Sequence, residues 1–232
     1  MEHLRKLLPA LTSKEKYIGF AYLVFQFALL PTLLQLVAMV FSLDYNGTLV
    51  NVLYFTINFI CCIAIFGSLL KNTLRTALAN REKLFFSTAV GFGIYRASVI
   101  ALGLLIALLF PDFSNLNDSA LVDILGKYPV LIVISTVILA PITEELLYRG
   151  LVFGWLQEKN VYLAYILSTL IFASIHVLQY VPQYGIGFAL VALVQYLPAG
   201  LVFAWAYQHS GTIAAPILIH AANNFLAILS VR

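Results

Sequence analysis

The sequence predicts an all-α membrane protein, a polytopic bundle of seven or eight transmembrane helices. Apolar residue types make up 62% of the 232 residues and charged types only 10%, against about 45–50% and about 25% in typical soluble domains. The mean hydropathy is +0.96, and the apolar residues are collected in runs of roughly 20 or more, long enough to cross a bilayer. A soluble chain of this composition would expose enough apolar surface to aggregate.

The first three predicted spans lie before Pro111. Residues 17–43 form the first span, with Pro31 as its candidate kink, because proline removes a helix hydrogen bond. This run is too long for the core of a signal peptide, and no convincing cleavage site follows it, so we expect it to be retained. Residues 49–70 form the second span, and residues 85–110 form the third.

Four more spans are predicted after an acidic loop. Pro198 falls within the third of them, and a break there would raise the total from seven to eight. All of residues 17–232 are expected to form one transmembrane domain, preceded by a basic cytoplasmic segment at residues 1–16. The four later spans cover residues 129–157, 161–180, 186–207 and 212–231.

The basic residues predict the orientation of the spans. When seven spans alternate in direction, nine basic residues fall on one side of the membrane and two on the other. Such an excess marks the cytoplasmic side, so we expect a multi-pass protein of the cell membrane with a cytoplasmic N-terminus. Residues 71–83 are expected to lie along the cytoplasmic surface of the lipid bilayer. The nine residues are Arg5, Lys6, Lys14, Lys16, Lys71, Arg75, Arg81, Lys83 and Lys159, and the two are Lys127 and Arg232.

Two other kinds of function are disfavoured. The formal charge of +3 is too small to indicate a nucleic-acid partner. The adjacent Cys61 and Cys62 match neither a redox pair nor a pair of metal ligands. We interpret them as small buried apolar residues.

Six ionisable side chains are predicted to lie deep within spans. A charge there costs at least about 2.5–3.5 kcal/mol on insertion scales, so each needs a partner or a function. His3 and His209, by contrast, are expected to lie at span ends and to be solvated. The six deep residues are Arg96, Glu144, Glu145, Arg149, His176 and His220.

The segment PITEELLYRG places two adjacent glutamates in one span. Glu145 and Arg149 are four residues apart, so on a helix they share a face and can pair as a structural clamp. Glu144 points about 100° away from Glu145, which leaves its carboxylate open to proton transfer. Pro141 removes the usual donor to the carbonyl of Val137 and is expected to loosen the helix there.

Four polar residues on three spans are predicted at similar depths. Glu144, His176 and Asn224 lie 13, 15 and 12 residues from the predicted cytoplasmic ends of their spans. These separations correspond to roughly 20, 22 and 18 Å along a helix, and His220 lies at roughly 12 Å. A single membrane histidine is explained equally well by an interhelical hydrogen bond that fixes packing. Agreement among three helices predicts one polar site inside the bilayer.

Arg96 is predicted at a comparable depth on the third span, roughly 16 Å from its cytoplasmic end. The four deep charges sum to zero, and a low-dielectric interior favours a neutral cluster. We therefore expect Arg96 to face the bundle interior near Glu144 and Glu145 as a counter-ion. The alternative is that its span is shifted and Arg96 reaches an interface.

A carboxylate beside histidines at membrane depth supports three interpretations. The site can be a proton or ion pathway, a metal site, or a hydrolytic site in which a glutamate takes a proton from water. The sequence contains no H-E-x-x-H, no G-x-S-x-G and no aspartate within a predicted span. Zincin, serine and aspartyl protease chemistry are therefore disfavoured.

Three motifs resemble those of one family. EELLYR (144–149), FASIH (172–176) and HAANN (220–224) resemble the E-E-x-x-x-R, F-x-x-x-H and H-x-x-x-N motifs of the CAAX-protease and bacteriocin-processing family, also called the Abi family. They stand in the family's order on three separate hydrophobic helices. Together they span about a third of the chain. Each motif alone is weakly specific, and the ordered trio is strongly specific.

The resemblance implies an intramembrane glutamate-dependent endopeptidase, similar to type II CAAX prenyl endopeptidases, with its catalytic core in residues 129–231. It implies that Glu144 and His176 activate the attacking water. It also implies that His220 and Asn224 stabilise the oxyanion of the tetrahedral intermediate. The residues expected to support this site are Glu145, Arg149, Phe172 and Arg96.

Cofactor and substrate are less tightly specified. Glu144, His176 and His220 are ligand types that zinc accepts, but Asn224 is an unusual zinc ligand and a good donor, so no obligatory metal is expected. The family resemblance implies a membrane-associated peptide or protein as substrate, and peptide maturation or bacteriocin immunity is favoured over cleavage of prenylated proteins. The alternative from another class is a non-catalytic membrane immunity or scaffold protein that retains the fold. A proton-coupled transporter ranks third, because no sequence repeat is present.

Overall fold

The computed structural model describes residues 8–44, 47–111, 113 and 128–230. These residues are almost entirely helical and contain no β-strand. The predicted all-α fold is therefore confirmed. His3 and most of the acidic loop lie outside the described residues, as do Arg5, Lys6, Lys127 and Arg232.

The first predicted span is a bent pair of helices. Helix α1 covers Ser13–Ala28 and helix α2 covers Leu30–Val40, with a bend of 46° between them. Pro31 stands in the first turn of α2, where the missing N–H of proline costs no helix hydrogen bond. The predicted kink is confirmed. Helix α1 begins before the apolar run, inside the predicted basic segment.

A buried glutamate joins α1 to the third helix. Helix α3 covers Thr48–Ala79 and departs from helical geometry at Phe66. Just past this break, the backbone N–H of Leu69 donates to Glu15 Oε1 at 2.7 Å, and Glu15 is almost fully buried. The carboxylate thus supplies an acceptor where the helix is interrupted.

Helix α4 follows α3 after one residue. It covers Arg81–Leu109, with Asn80 between the two helices. Residues 71–83 therefore form the end of α3 and the start of α4. Their position along the lipid surface stays a prediction.

Helix α5 is the centre of the bundle. It runs continuously over Pro129–Gln157, but two stretches have π-helical hydrogen bonds, Ile134–Leu139 and Leu146–Phe153. Every residue of the second stretch is buried, and the large apolar cluster of the bundle surrounds it. π-Helical segments are rare and occur frequently at functional sites. Here they flank the two adjacent glutamates.

Helices α6 and α7 are joined by a sharp turn. Helix α6 covers Val161–Val177 and helix α7 covers Val181–Ser210, with a 3₁₀ turn between them. The chain breaks helical geometry at Gly185, whose φ of +79° favours glycine. Pro198 lies within α7 without such a break. The alternative of a break at Pro198 is therefore not seen, and the interruption falls at Gly185.

Contacts show that α6 and α7 pack antiparallel. The hydroxyl of Tyr165 donates to Gln208 Oε1 at 2.8 Å near one end. Near the other end the ring of His176 stacks on Tyr196, with ring centroids 4.5 Å apart. Between them the backbone of α7 passes so close to Thr169 that a Cβ atom at Gly200 would lie 2.9 Å from its Cα.

Helix α8 covers Ala214–Ser230. By length and composition, four helices of the described residues can cross a membrane, or five when the bent pair counts as one span. The antiparallel packing of α6 and α7 divides one of these candidates, residues 161–210, into two limbs. A total of seven or eight crossings stays a prediction.

His209, Cys61 and Cys62 lie outside the candidate site. The sequence predicts a solvated His209, but its Nδ1 lies 2.8 Å from Ser87 Oγ, and its ring stacks on Trp205. His209 stands at the end of α7 as predicted and is partly exposed, and these two contacts form because α4 packs against that end. Cys61 and Cys62 are free thiols, and Cys62 is fully buried as predicted.

The outer surface of the bundle carries large apolar side chains. Val40, Phe85 and Leu108 are 75–78% exposed. On a soluble protein such surfaces would aggregate, whereas in a bilayer they contact lipid.

Candidate active site

The ion pair predicted within α5 is present. Arg149 Nη1 donates to Glu145 Oε1 at 3.0 Å, and both side chains are fully buried. The other terminal nitrogen of Arg149 donates to the carbonyls of Ala199 and Gly200 in α7, at 3.2 and 3.4 Å. The guanidinium also lies 4.3 Å from the ring centre of Phe172 in α6, within cation–π range. Arg149 therefore links α5 to both α6 and α7.

Glu145 has a second partner, on α8. Its Oε1 also lies 3.0 Å from Nδ1 of His220. Because an ionised carboxylate only accepts, we assign the proton of neutral His220 to Nδ1. The Nε2 atom then carries a lone pair. A carboxylate behind a histidine fixes its tautomer and orientation, as in hydrolytic triads.

His176 is held in the same tautomer from α6. Its Nδ1 lies 2.8 Å from the carbonyl oxygen of Phe172, one turn earlier, and a carbonyl oxygen only accepts. Its ring lies between two aromatic rings, 4.6 Å from that of Phe172 and 4.5 Å from that of Tyr196. The two histidines therefore both present Nε2 to the same space.

Glu144 faces these two Nε2 atoms. Its Oε2 lies 3.7 Å from Nε2 of His176 and 4.0 Å from Nε2 of His220. Both distances exceed those of a direct hydrogen bond, and this buried oxygen has no hydrogen-bond partner among the described residues. One water with hydrogen bonds of about 2.8 Å spans gaps of this width. The arrangement suits a water held between a carboxylate and an imidazole.

The first π-helical stretch leaves a backbone carbonyl for a side chain to bind. The N–H of Ala140 donates to Ser135, five residues earlier. The next residue, Pro141, has no N–H to give to Thr136. An ideal α-helix would place the missing hydrogen bond at Val137, as the sequence analysis expects. The π-helical register moves it to Thr136.

Asn224, on α8, supplies a donor for the Thr136 carbonyl. Its Nδ2 donates to the carbonyl oxygen of Thr136 at 2.8 Å. A primary amide has two N–H groups, so the second can still donate elsewhere. Asn224 and His220, one turn apart on α8, both line the cavity described next.

A cavity of about 1890 Å³ contains the site, with Glu144 and both histidines in its wall. Other lining residues lie between the site and one end of the bundle, on helices that run in both directions. None of the lining residues in the described part of the chain belongs to 59–94, 149–171 or 204–219, at the opposite end. We call the first end the mouth of the cavity. The residues that line the cavity at its mouth include Asn51, Gly103, Tyr128, Gln179 and Ser230.

Arg96 lines the same cavity from α4. Its Nη1 donates to Asn223 Oδ1 on α8 at 3.2 Å. Arg96 therefore faces the interior, as expected. The ion pairs formed among the described residues do not include Arg96, so its role as a nearby counter-ion of Glu144 or Glu145 stays a prediction.

The distances between the candidate ligand atoms test whether the site can hold zinc. Two ligand atoms on a tetrahedral zinc lie about 3.3 Å apart, whereas Glu144 Oε2 lies 3.7 and 4.0 Å from the imidazole nitrogens. In the part of the chain that the structure describes, no group of three His, Cys, Asp or Glu side chains is arranged to hold a metal. At these distances Glu144, His176 and His220 do not fit tetrahedral zinc coordination.

The predicted site residues form three groups. Glu144, His176 and His220 converge at the cavity, and Glu145, Arg149 and Phe172 lie behind them. Asn224 and Arg96 line the cavity beside this group. Sequence reasoning missed Tyr196, which stacks on His176, because an aromatic residue in an apolar helix carries no distinguishing pattern.

Comparison with protein families agrees with the three motifs. Residues 126–226 match a family model described as Rce1-like, "Type II CAAX prenyl endopeptidase Rce1-like". The match covers a little under half of the chain and contains all three motifs. The predicted family resemblance is confirmed. No solved structure matches the chain significantly.

Curated bacterial proteins are similar over longer stretches. A Bacillus subtilis protein named "Putative membrane peptidase YdiL" is 25% identical over 93% of this chain and 88% of its own length. The "UPF0177 protein YxdF" of Lactococcus lactis is 26% identical over 67% of this chain and 80% of its own length. The "Uncharacterized protein YyaK" of Bacillus subtilis is 29% identical over 67% of this chain and 52% of its own length.

Proposed function

We propose that this chain, whose residues 126–226 match the Rce1-like family model, is a glutamate-dependent intramembrane endopeptidase. Its substrate is a membrane-associated peptide or protein, and its nucleophile is a water activated by Glu144. The observation that carries the proposal is the convergence of Glu144 Oε2 with Nε2 of His176 and of His220, at 3.7 and 4.0 Å. These three atoms face one water-sized space.

The first step is attack by water on the carbonyl carbon of the scissile bond. Oε2 of Glu144 accepts one proton from the water as the new C–O bond forms. Nε2 of His176 accepts the second hydrogen bond and holds the water in line with the carbonyl. The electron pair of the C=O bond moves to oxygen, which becomes the oxyanion of a tetrahedral intermediate.

The second requirement is a set of donors for this oxyanion. The free N–H of Asn224 supplies one. His220 supplies a second donor through Nε2 when this atom has taken up a proton from solvent to form an imidazolium, because Nδ1 keeps its own proton in the hydrogen bond to Glu145, and the buried carboxylate stabilises that cation. A donor of this kind contributes about 2.7–4 kcal/mol in other enzymes.

The last step is collapse of the intermediate. The oxyanion electrons re-form the C=O bond as the C–N bond breaks. The proton held by Glu144 passes to the leaving nitrogen, so that the products are a carboxylic acid and an amine and the Glu144 carboxylate is restored.

The proposal is tested with the purified protein in liposomes. We expect it to cleave members of a membrane-peptide library, identified by mass spectrometry, and a Glu144→Ala variant to cleave none. The alternative, a non-catalytic immunity or scaffold protein, predicts no cleavage by either. Cleavage by both proteins alike would overturn the role of Glu144.

The cavity mouth also bears on the substrate. It lies at the end of the bundle opposite the basic residues Lys71 and Lys159, and these residues mark the cytoplasmic side by the positive-inside rule. We therefore place the mouth on the outer side of the cell membrane. This placement favours maturation of secreted or immunity-related peptides over cleavage of cytoplasmic prenylated proteins.

Cysteine labelling tests this orientation. In a Cys61→Ala, Cys62→Ala background, Ser230→Cys lies at the mouth and Lys159→Cys at the basic end, and both positions are exposed. On intact cells, a membrane-impermeant maleimide is expected to label Ser230→Cys at once and Lys159→Cys only after lysis. The opposite pattern would place the mouth in the cytoplasm.

Metal dependence is tested by chelation. If Asn224 acts as a donor and Glu144 activates the water without a metal ion, activity should survive dialysis against a strong chelator. Elemental analysis should find less than about one metal ion per chain. Stoichiometric zinc whose removal and return switches cleavage off and on would contradict this account.

A further inference from the structure

We propose that Arg96 binds a carboxylate of the substrate peptide, beside the site of cleavage. The inference rests on the proposed peptidase function. It assigns a substrate feature to a residue that lies outside the three motifs.

The charge of Arg96 calls for an anion. The residue is half-buried in the middle of α4 and faces the cavity, at a depth where an isolated charge is costly. Glu145, the fully buried carboxylate, is paired with Arg149 and His220. In the described chain no carboxylate lies within ion-pair distance of Arg96. Glu144 lines the same cavity, but it faces the two histidines and makes no ion pair with Arg96. The guanidinium is therefore open to an anion among the contents of the cavity.

The guanidinium is also held in position to bind. Asn223 Oδ1 accepts a single hydrogen bond, from Nη1, whereas a guanidinium carries five N–H donors. The remaining donors suffice for a bidentate pair with a carboxylate, which is the geometry that arginine prefers. Asn223 thus orients Arg96 without neutralising it.

The lining of the cavity favours a peptide over a lipid as its content. Amide residues line it on four helical regions, and amide groups exchange hydrogen bonds with the N–H and C=O groups of a peptide backbone. Three of them also bond within the protein, where Gln26, Asn51 and Asn58 donate to Tyr148, Gly47 and Tyr54. An acyl chain can make no hydrogen bond with any of these groups. The amide residues in the lining include Gln26, Asn51, Asn58, Gln179 and Gln195.

The position of Arg96 limits how far its ligand lies from the scissile bond. Its partner Asn223 follows His220 by three residues on α8, a rise of about 4.5 Å toward the mouth. An extended peptide advances about 3.3 Å per residue. With the reach of the side chain, the bound carboxylate falls about two to four residues from the cleaved bond. It is either the chain terminus or an aspartate or glutamate side chain.

Four versions of one cleaved peptide separate these sources. They combine a free or amidated C-terminus with aspartate or asparagine at the acidic position nearest the cleaved bond. We expect wild-type kcat/KM to fall about tenfold or more when the recognised carboxylate is neutralised, mainly through KM. Neutralising the other carboxylate should have little effect, which identifies the source.

The matched variants are Arg96→Leu and Arg96→Lys, with thermal unfolding in detergent as the check on folding. Arg96→Leu is expected to cleave all four peptides at the rate of the neutralised one, and Arg96→Lys to keep part of the preference. A purely structural role predicts equal losses on every peptide and would overturn the inference, as would a wild type indifferent to both carboxylates. Should Arg96→Leu fail to fold, the wild-type preference alone decides. If the wild type cleaves no peptide at all, the proposed function fails and this inference fails with it.

Discussion

Glu144→Gln is expected to lower kcat/KM by about 10³-fold while leaving the protein folded in the membrane. A general base contributes about 10²–10⁴-fold to rate, and glutamine keeps the shape of the side chain but cannot accept the proton from water. Packing should survive, because Oε2 of Glu144 makes no hydrogen bond to the described residues. The measurement is cleavage of a library-derived peptide, with Tm in detergent recorded alongside.

A second glutamate provides the matched control. Glu158 lies just after α5 and is exposed, so Glu158→Gln removes the same charge at the end of the helix that carries Glu144, without touching the site. It should cleave at the wild-type rate. If Glu144→Gln is as active as this control, the assignment of Glu144 as the base is wrong.

Arg149→Ala is expected to cost about 3–5 kcal/mol of stability, because removing one partner of a buried pair leaves the other charge uncompensated. Glu145 would lose its ion pair, and the carbonyls of Ala199 and Gly200 would lose the donor that links α5 to α7. His220, held by Glu145, would lose its orientation as well. Both expression and Tm should therefore fall, and cleavage should fall with them.

Arg75→Ala is the control for this prediction, since Arg75 is an exposed arginine on α3 and should be replaceable with little effect. An Arg149→Ala protein that melts like the wild type but fails to cleave would contradict the clamp. Such a result would instead place Arg149 in substrate binding or catalysis.

Local spacing predicts much of this molecule. The four-residue separation of Glu145 and Arg149 specifies their pairing on a helix, and the structure shows it. Pro31 marks the bend between α1 and α2 because proline, which has no N–H, is tolerated in the first turn of a helix, so a new helix begins here. The motifs place Glu144, His176 and His220 on separate helices, and similar depths along those helices suffice to predict that they meet.

Contacts that depend on tertiary geometry are not encoded in spacing. The hydrogen bond of Glu145 to His220 joins residues 75 apart and requires the rotation of α8 about its axis. The carbonyl bound by Asn224 shifts by one residue because α5 is locally π-helical, and no sequence period reveals that register. Glu15 belongs to the basic segment predicted before the first span, yet it binds an N–H that becomes available only because α3 breaks at Phe66.

The most direct test of the central claim is cleavage in H₂¹⁸O, with mass spectrometry of both products. Activation of water by Glu144 predicts one ¹⁸O atom in the new C-terminal carboxyl group of the wild-type product. In Glu144→Gln the same labelled product should form about 10³-fold more slowly. An unlabelled product in a single turnover would show that water is not the nucleophile, and formation of the labelled product by Glu144→Gln at the wild-type rate would show that Glu144 does not activate the water.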